Sequence, residues 1–299
     1  MPGPLRVATR GSELARWQAE RVATLLGGDV ELVIVSTTGD ARRDVPIHAM
    51  GGTGVFVKEV QHAVLDGRAD VAVHSAKDLP ASPGEGGIVL VAVPERADPR
   101  DALVGGRLDA LVPGARVATG SVRRRAQLAA LRPDLTFAEL RGNIATRLER
   151  AAGFDAIVMA VAALERLGRR DRADEVLDPK VMLPQVGQGA LAVECRTDDE
   201  HTRERLAAID DTRAHAAVGA ERAFLSRLGG GCDLPCAAHA TIEGGEIVVD
   251  ALLASLDGRV VLRGHGRSAS PVAAGEAAAD DVLDHGGLAL LDELTTGRS

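Results

Sequence analysis

The chain is 299 residues long, 45% hydrophobic and 26% charged, with 2% aromatic side chains and no tyrosine, which predicts two or three soluble domains with cores of Ala, Val and Leu. A formal net charge of −8 speaks against nonspecific nucleic-acid binding and draws attention to local groups of arginine suited to a small anionic ligand. With no run near the roughly 20 apolar residues that span a bilayer, no apolar signal region, and an odd set of cysteines (Cys195, Cys232, Cys236), a cytoplasmic protein without a disulfide framework or a membrane partner is expected.

In chain order, residues 5–9 read as a strand and Ser12 as the cap of a helix running to about residue 26. Residues 30–37 read as a second strand, 56–65 as a helix and 70–74 as a third strand. This alternation predicts βαβ units and a largely parallel sheet with helices on its faces. Residues 94–101, rich in charge and proline, read as a crossing between domains. A second alternating set follows: strand 116–119, a helix from Val122, strand 136–140, a helix from Asn143 and strand 155–160. The strand-like stretch 191–195 is expected to return to the first domain. From about Thr212 the pattern changes to a helix (213–228), the cysteine loop, three strands (237–243, 246–254, 259–266) and alanine-rich helical segments. That order predicts a separate α+β domain with a small antiparallel sheet.

Three segments place arginine where a predicted strand gives way to a helix: Thr9-Arg10-Gly11-Ser12, Thr119-Gly120-Ser121-Val122-Arg123-Arg124-Arg125 and Leu140-Arg141-Gly142-Asn143-Ile144-Ala145-Thr146-Arg147. Free N–H groups at helix starts attract anions, and ligands of open α/β sheets gather at these ends. Guanidinium groups add bidentate pairing with carboxylates. Any one of the three is also what a capping serine beside a solvated arginine looks like. Three in one acidic chain point to a site for several carboxylates or phosphates.

His74-Ser75-Ala76-Lys77-Asp78-Leu79-Pro80 closes the third strand. Pro80 restricts the residue before it, so Asp78 is not expected to lie in a continuing helix. A carboxylate there, beside Lys77, can handle protons or stabilise a cationic intermediate; a structural salt bridge or a turn aspartate is the alternative. The glycine-rich stretches 51–58 and 186–190 match neither phosphate-loop nor dinucleotide spacing. They read as a mobile loop before a helix and as a tight inter-domain crossing.

Cys232 follows three glycines in Arg-Leu-Gly-Gly-Gly-Cys-Asp-Leu-Pro-Cys, residues 227–236. Glycine lets the backbone approach a ligand closely, a poor setting for a core cysteine and a good one for a thiol carrying something large. A flexible loop that happens to hold a cysteine is the other reading. Cys232, Cys236 and His239 form Cys-x3-Cys-x2-His, a weak match to structural zinc spacing without a companion pair, so no metal is expected. Cys195 sits in an apolar strand and reads as inert core.

Taken together and in order, RVATRGSELARWQA, GGTGVFVKE, ADVAVHSAKDLP, ERADPRDAL, TGSVRRRAQL, LRGNIATRL, VGQGALAVECR and GGGCDLPCAAHA resemble the porphobilinogen deaminase (hydroxymethylbilane synthase) family over almost the whole chain. The resemblance implies a transferase of tetrapyrrole (haem) biosynthesis. Such an enzyme condenses four porphobilinogen molecules head to tail, releasing ammonia each time, into hydroxymethylbilane on a covalent dipyrromethane cofactor. By motif, Cys232 matches the cysteine that holds this cofactor as a thioether, and Asp78 the catalytic aspartate that stabilises charge on the pyrrole nitrogens as an azafulvenium forms. Lys77, Ser121, Arg123, Arg124, Gly142 and Asp40 match cofactor-binding positions, and Arg10, Ser12, Gln18, Arg141, Arg147 and Arg166 substrate-binding ones. Cys236 stands where the family usually has a small or apolar residue, and Ala49 and Thr53 where several members carry lysines.

The resemblance also implies a monomer and an α/β fold: two periplasmic-binding-protein-like α/β domains around a cleft, plus a smaller C-terminal α+β domain carrying the cofactor cysteine. The expected divisions are 1–93 with 190–208, 94–189, and 212–299. A non-catalytic anion-binding protein on the same two-lobed plan would explain the arginine junctions but neither Asp78 nor the cysteine loop. A C-terminal zinc module would explain only Cys232, Cys236 and His239.

Overall fold

The computed structural model describes residues 3–36, 57–81, 86–230 and 234–296. Its chain forms two compact units, Met1–Ala97 with Gly189–His215, and Asp98–Gln188 with Ala216–Ser299.

The first unit is built on a mixed sheet. Strand β1 (Leu5–Arg10) leads into helix α1 (Glu13–Leu26) and β2 (Val30–Val35); α2 (Lys58–Leu65) leads into β3 (Val71–Ser75). The sheet is completed by β4 (Ile88–Ala92) and β10 (Leu191–Arg196), after which comes α6 (Glu200–Ala207). The strand order is β2-β1-β3-β10-β4, with β1 parallel to both β2 and β3, and β10 antiparallel to β3 and β4. Ala15, Ala19 and Val22 recur at helical spacing and form the buried stripe of α1. Ala19 and Val22 pack with Leu5, Val7, Val71, Val73 and Val193 on one face. Val60, Ala63 and Val64 of α2 cover the other with Ala8 and Ala72. Small residues on both faces let the helices lie close, as a largely parallel sheet requires.

The boundaries depart from the sequence reading where polar groups intervene. Strand β3 starts at Val71 rather than Asp70, whose carboxylate accepts from the Arg6 backbone N–H at 2.9 Å and from Arg6 Nη2 at 2.7 Å. Strand β4 is an apolar run without alternation and helix α6 buries only Thr202 and Leu206. Neither carries the periodicity by which elements are read.

In the second unit, β5 (Asp101–Val104), β6 (Arg116–Ala118), α3 (Val122–Leu131), β7 (Thr136–Ala138), α4 (Ile144–Arg150), β8 (Ala156–Ala160), α5 (Val161–Arg166) and β9 (Glu175–Val176) follow in order. The sheet order is β7-β6-β8-β5-β9; β6 runs parallel to β7 and β8, and β5 antiparallel to β8 and β9. Asp101, taken from the sequence as the end of a crossing, is thus the first residue of a strand. Leu103, Val117, Leu128, Val158 and Met182 make the core.

The unit's remaining part comprises α7 (Thr212–Arg227) from Ala216 onward, β11 (Cys236–Glu243), β12 (Glu246–Ala254), β13 (Val261–Ser268), α8 (Pro271–Val282) and α9 (Leu288–Thr296). The strands form a three-stranded antiparallel sheet in chain order. Strand β13 begins two residues later than expected because a turn consumes the intervening chain: Ser255 Oγ accepts from the Val260 N–H at 3.0 Å, and Asp257 from the Arg259 N–H at 3.0 Å. Helix α8 lies directly on β13, where a Cβ at Gly264 would sit 2.6 Å from the Ala278 carbonyl oxygen. The small sheet also packs on α3, through Ala237, Leu252 and Ala254 against Ala126 and Leu183. That contact fixes the helix that bears Arg123 and Arg124.

Candidate active site

In the second unit the parallel strands β6, β7 and β8 are followed by α3, α4 and α5, and the arginines read from the sequence lie at or near these ends. Ser121 caps α3, accepting from the Arg124 N–H at 3.4 Å, while its own N–H donates to Thr119 Oγ1 at 3.1 Å. Asn143 caps α4, accepting from the Thr146 N–H at 2.9 Å. The two junctions abut: a Cβ on Gly120 would lie 3.1 Å from the Leu140 carbonyl oxygen. Gly142, with φ of 117°, has Thr146 Cγ2 3.0 Å from where a Cβ would stand, so this turn demands glycine.

Arg123 and Arg124 point into the unit, not into solvent. Arg123 is 3% exposed and Asp101 0%. Arg123 Nη2 donates to Asp101 Oδ2 at 2.7 Å, and Arg124 donates to Asp101 Oδ1 from Nη2 at 2.7 Å and from Nε at 3.1 Å. Burial alone would push the Asp101 carboxyl up, but the two guanidiniums hold it well below the usual carboxylate range. Arg147, on α4, is near enough to Arg124 to feel its charge; burial first, then that repulsion, pulls it down to about 10. It has no ion-pair partner among the described residues. The Nε atoms of Arg123 and of Arg147 are both buried with no hydrogen-bond partner among the described residues. Buried donors are rarely left unpaired. Here a cationic group carries two of them, which is what a seat for ligand oxygens needs. Arg166 ends α5, buried, and is likewise pulled down to about 10 by burial. Arg141 is half-buried and paired through its Nε with Glu139.

The first unit presents a different set at the matching strand ends. Arg10 is the last residue of β1, and Ser12 caps α1, accepting from the Ala15 N–H at 3.3 Å. Gln18, buried in α1, has its Nε2 without a partner among the described residues. Strand β3 runs into a 3₁₀ turn, Ala76–Asp78, after which Leu79 is extended at φ −66° and ψ 140°, as the proline that follows requires. The turn holds Lys77 and Asp78, and the Ala76 N–H ties it to the Ala190 carbonyl at 3.0 Å. Asp78 is half-buried, and its carboxylate makes no ion pair or hydrogen bond among the described residues. On the sheet behind it, Gln61 Nε2 donates to Glu194 Oε2 at 2.9 Å, and His74 Nε2 lies 3.2 Å from the same oxygen.

Cys232 and Asp40, with Ala49, Thr53 and most of the 51–58 loop, lie outside the described residues. Cys236 is buried at the start of β11 and close enough to Arg123 to interact with its charge. Cys195 is fully buried, and burial raises its thiol to about 11, so it has little thiolate character. Among the described residues no group of three or more His, Cys, Asp or Glu side chains is placed to hold a metal ion. Asp101 and Gln188, which organise the arginine group, were missed in the sequence. The available signal is an aspartate opening an apolar Ala-Leu-Val run, which the charge and proline before it make read as the end of a crossing between domains.

Residues 5–204 match the family profile described as "Porphobilinogen deaminase, dipyromethane cofactor binding domain", and residues 215–284 the one described as "Porphobilinogen deaminase, C-terminal domain". The chain belongs to the porphobilinogen deaminase family. The porphobilinogen deaminase of Roseiflexus sp. is 48% identical over 97% of this chain and 99% of its own length. That of Acidithiobacillus ferrooxidans is 45% identical over 98% and 99%. Among solved structures, the periplasmic sulfonate-binding protein SsuA of Methylobacillus flagellatus aligns with a TM-score of 0.37 at 14% identity, over 73% of this chain and 66% of that one. Membership makes the chain an enzyme of tetrapyrrole synthesis with a dipyrromethane-binding domain. The buried guanidinium Nε atoms, without a partner among the described residues, fit such a group, whose pyrroles carry acetate and propionate carboxylates.

Proposed function

We propose that this chain condenses four porphobilinogen molecules into hydroxymethylbilane, and that its two sets of strand-end residues divide the work. Asp78 is assigned the catalytic role. A carboxylate with no competing partner among the described residues, held on a short turn, can face the positive charge that develops on a pyrrole nitrogen as ammonia departs, and can move the protons exchanged as each unit is joined to the linear chain. Arg123 and Arg124, with Lys77, Ser121, Gly142 and Asp40, are assigned to the cofactor's carboxylates. Arg10, Ser12, Gln18, Arg141, Arg147 and Arg166 are assigned to the incoming substrate and the growing chain. The bound dipyrromethane, held through Cys232 as a thioether, supplies a primer that stays covalently attached while units are added. The observation that supports this reading best is the arginine group of the second unit, in which buried Nε donors of Arg123 and Arg147 await oxygen ligands.

The same proposal includes three domains, 1–93 with 190–208, 94–189 and 212–299, in a cytoplasmic monomer. No described helix is long and apolar enough to cross a membrane, and light scattering of the purified protein tests the monomer. Intact mass followed by peptide mapping tests the rest. An excess over 31.0 kDa equal to two porphobilinogen units less their lost ammonia, located on Cys232, is the expected result. A chain that stays unmodified after incubation with porphobilinogen overturns the assignment of Cys232.

A further inference from the structure

We propose that Asp101 is a positioning residue: its buried carboxylate fixes the pose in which Arg123 and Arg124 meet a bound carboxylate chain, and sets the net charge they offer it. The inference rests on the reading of these arginines as cofactor-binding groups.

Asp101 opens β5, and antiparallel pairing sets it opposite Ala160 at the end of β8. This is the end of the sheet from which α3 departs. One oxygen serves Arg123; the other accepts from Arg124 and from Gln188 Nε2, the latter at 2.9 Å. Each guanidinium has a second anchor on the backbone, Arg123 Nη1 on the Leu183 carbonyl at 2.6 Å and Arg124 Nη1 on the Val158 carbonyl at 3.1 Å. Gln188 is itself fixed by donating to the Pro99 carbonyl at 2.7 Å.

Two anchors per fork stop it rotating, so the direction of the remaining donors is set before any ligand arrives. Asp101 is fully buried and reaches a ligand only through the arginines. As a device for stability the arrangement is poor. Buried ion pairs gain little over apolar packing, and one carboxylate between two guanidiniums leaves a buried positive charge uncompensated. As a device for binding it makes sense: the pair is held rigid and keeps one net positive charge for an incoming anion.

The test uses full-length holoenzyme carrying Asp101→Asn, Arg124→Lys, or both. Its readouts are kinetics per cofactor-bearing molecule, the share of purified protein carrying the cofactor mass, and the thermal midpoint. Asp101→Asn is expected to lower kcat/KM roughly 100-fold, as an ångström of misplacement does, and to reduce the cofactor-bearing share. In the Arg124→Lys background it should add little, because residues acting as one unit do not add. A lowered midpoint with kcat/KM unchanged, or an equal effect in both backgrounds, overturns the proposal and leaves Asp101 a strut. If Arg124→Lys alone changes neither loading nor kinetics, the reading of the arginines falls and this inference with it. Should Asp101→Asn not fold, Gln188→Leu removes one donor to Asp101 while sparing both ion pairs. A loss in kcat/KM that Arg124→Lys abolishes supports the proposal, and no loss overturns it.

Discussion

The two α/β sheets share a plan yet treat the carboxylate at their strand ends in opposite ways. In both, a first parallel strand feeds a helix capped by serine, Ser12 in one and Ser121 in the other, and a neighbouring parallel strand ends in a short turn or helix. The first sheet puts a carboxylate, Asp78, at those ends beside Arg10 and Lys77, and leaves it unpaired among the described residues. The second puts arginines there and sinks its carboxylate, Asp101, beneath them. The acid assigned to catalysis has no partner among the described residues; the acid proposed to orient the arginines is saturated with donors. The same topological position can therefore serve reaction or recognition, depending on which charge is left unsatisfied.

That division can be broken most directly at Asp78. Asp78→Asn is expected to lower kcat about 100- to 1,000-fold by removing the charge that faces the developing cation, with KM and cofactor mass little changed in steady-state kinetics and mass spectrometry. Near-normal turnover would erase the contrast between the sheets.

Arg147 sharpens it from the other side. Replacing it with Leu should raise KM roughly 10- to 100-fold through loss of a charged hydrogen bond. The same change should raise the thermal midpoint of the cofactor-free chain by roughly 2–4 °C, by removing a buried cation that has no counter-ion among the described residues. The sign with pH follows from its lowered value. With Arg147 pulled down to about 10, its charge penalises the fold fully below that pH and less as pH rises through it. The gain in midpoint should therefore be largest near neutrality and shrink above about pH 10; a gain that persists unchanged would mean the charge is not the cause.

The smallest effects belong to the frames that both sheets use. Ser12→Ala and Asn143→Ala each remove one cap and should cost about 1 kcal/mol of stability in denaturant titrations. Gly142→Ala should cost about 1–3 kcal/mol, since its left-handed backbone and the closeness of Thr146 tolerate no side chain. If the same change at Ser121 proved far costlier than at Ser12, the shared plan would not be energetically equivalent in the two units.

Much of this was legible in the sequence because local rules and global fold agree. Ser12, Ser121 and Asn143 sit where helix starts demand caps, and Pro80 forces the chain out of the turn that carries Asp78. The motif resemblance to the family also covered most of the chain. What was not legible lies where long-range pairing decides. Asp101 looked like part of a charged linker because nothing in its neighbours reveals that two arginines more than twenty positions on will bury it. Strand β4 and helix α6 lack the periodicity that marks an element. The sequence presents Arg123 and Arg124 as open to a ligand, whereas several of their N–H groups are spent on Asp101, Leu183 and Val158 inside the fold; the sequence shows that an arginine is present, not which of its N–H groups remain available.

The placement of β10 has a consequence for how the chain comes off the ribosome. Among the described residues strand β4 borders only β10 in its sheet, and β10 is made about a hundred residues later, after the whole segment from β5 to β9. Until residue 196 has emerged, β4 lacks the strand it pairs with and the core around Val73 and Ala92 lacks Leu191, Val193 and Cys195. The second sheet, contiguous from Asp101 to Val176, faces no such delay. Synthesis therefore completes the sheets in the reverse of the order in which they begin, and the sheet bearing Asp78 closes only after the one bearing the arginines has every strand it needs.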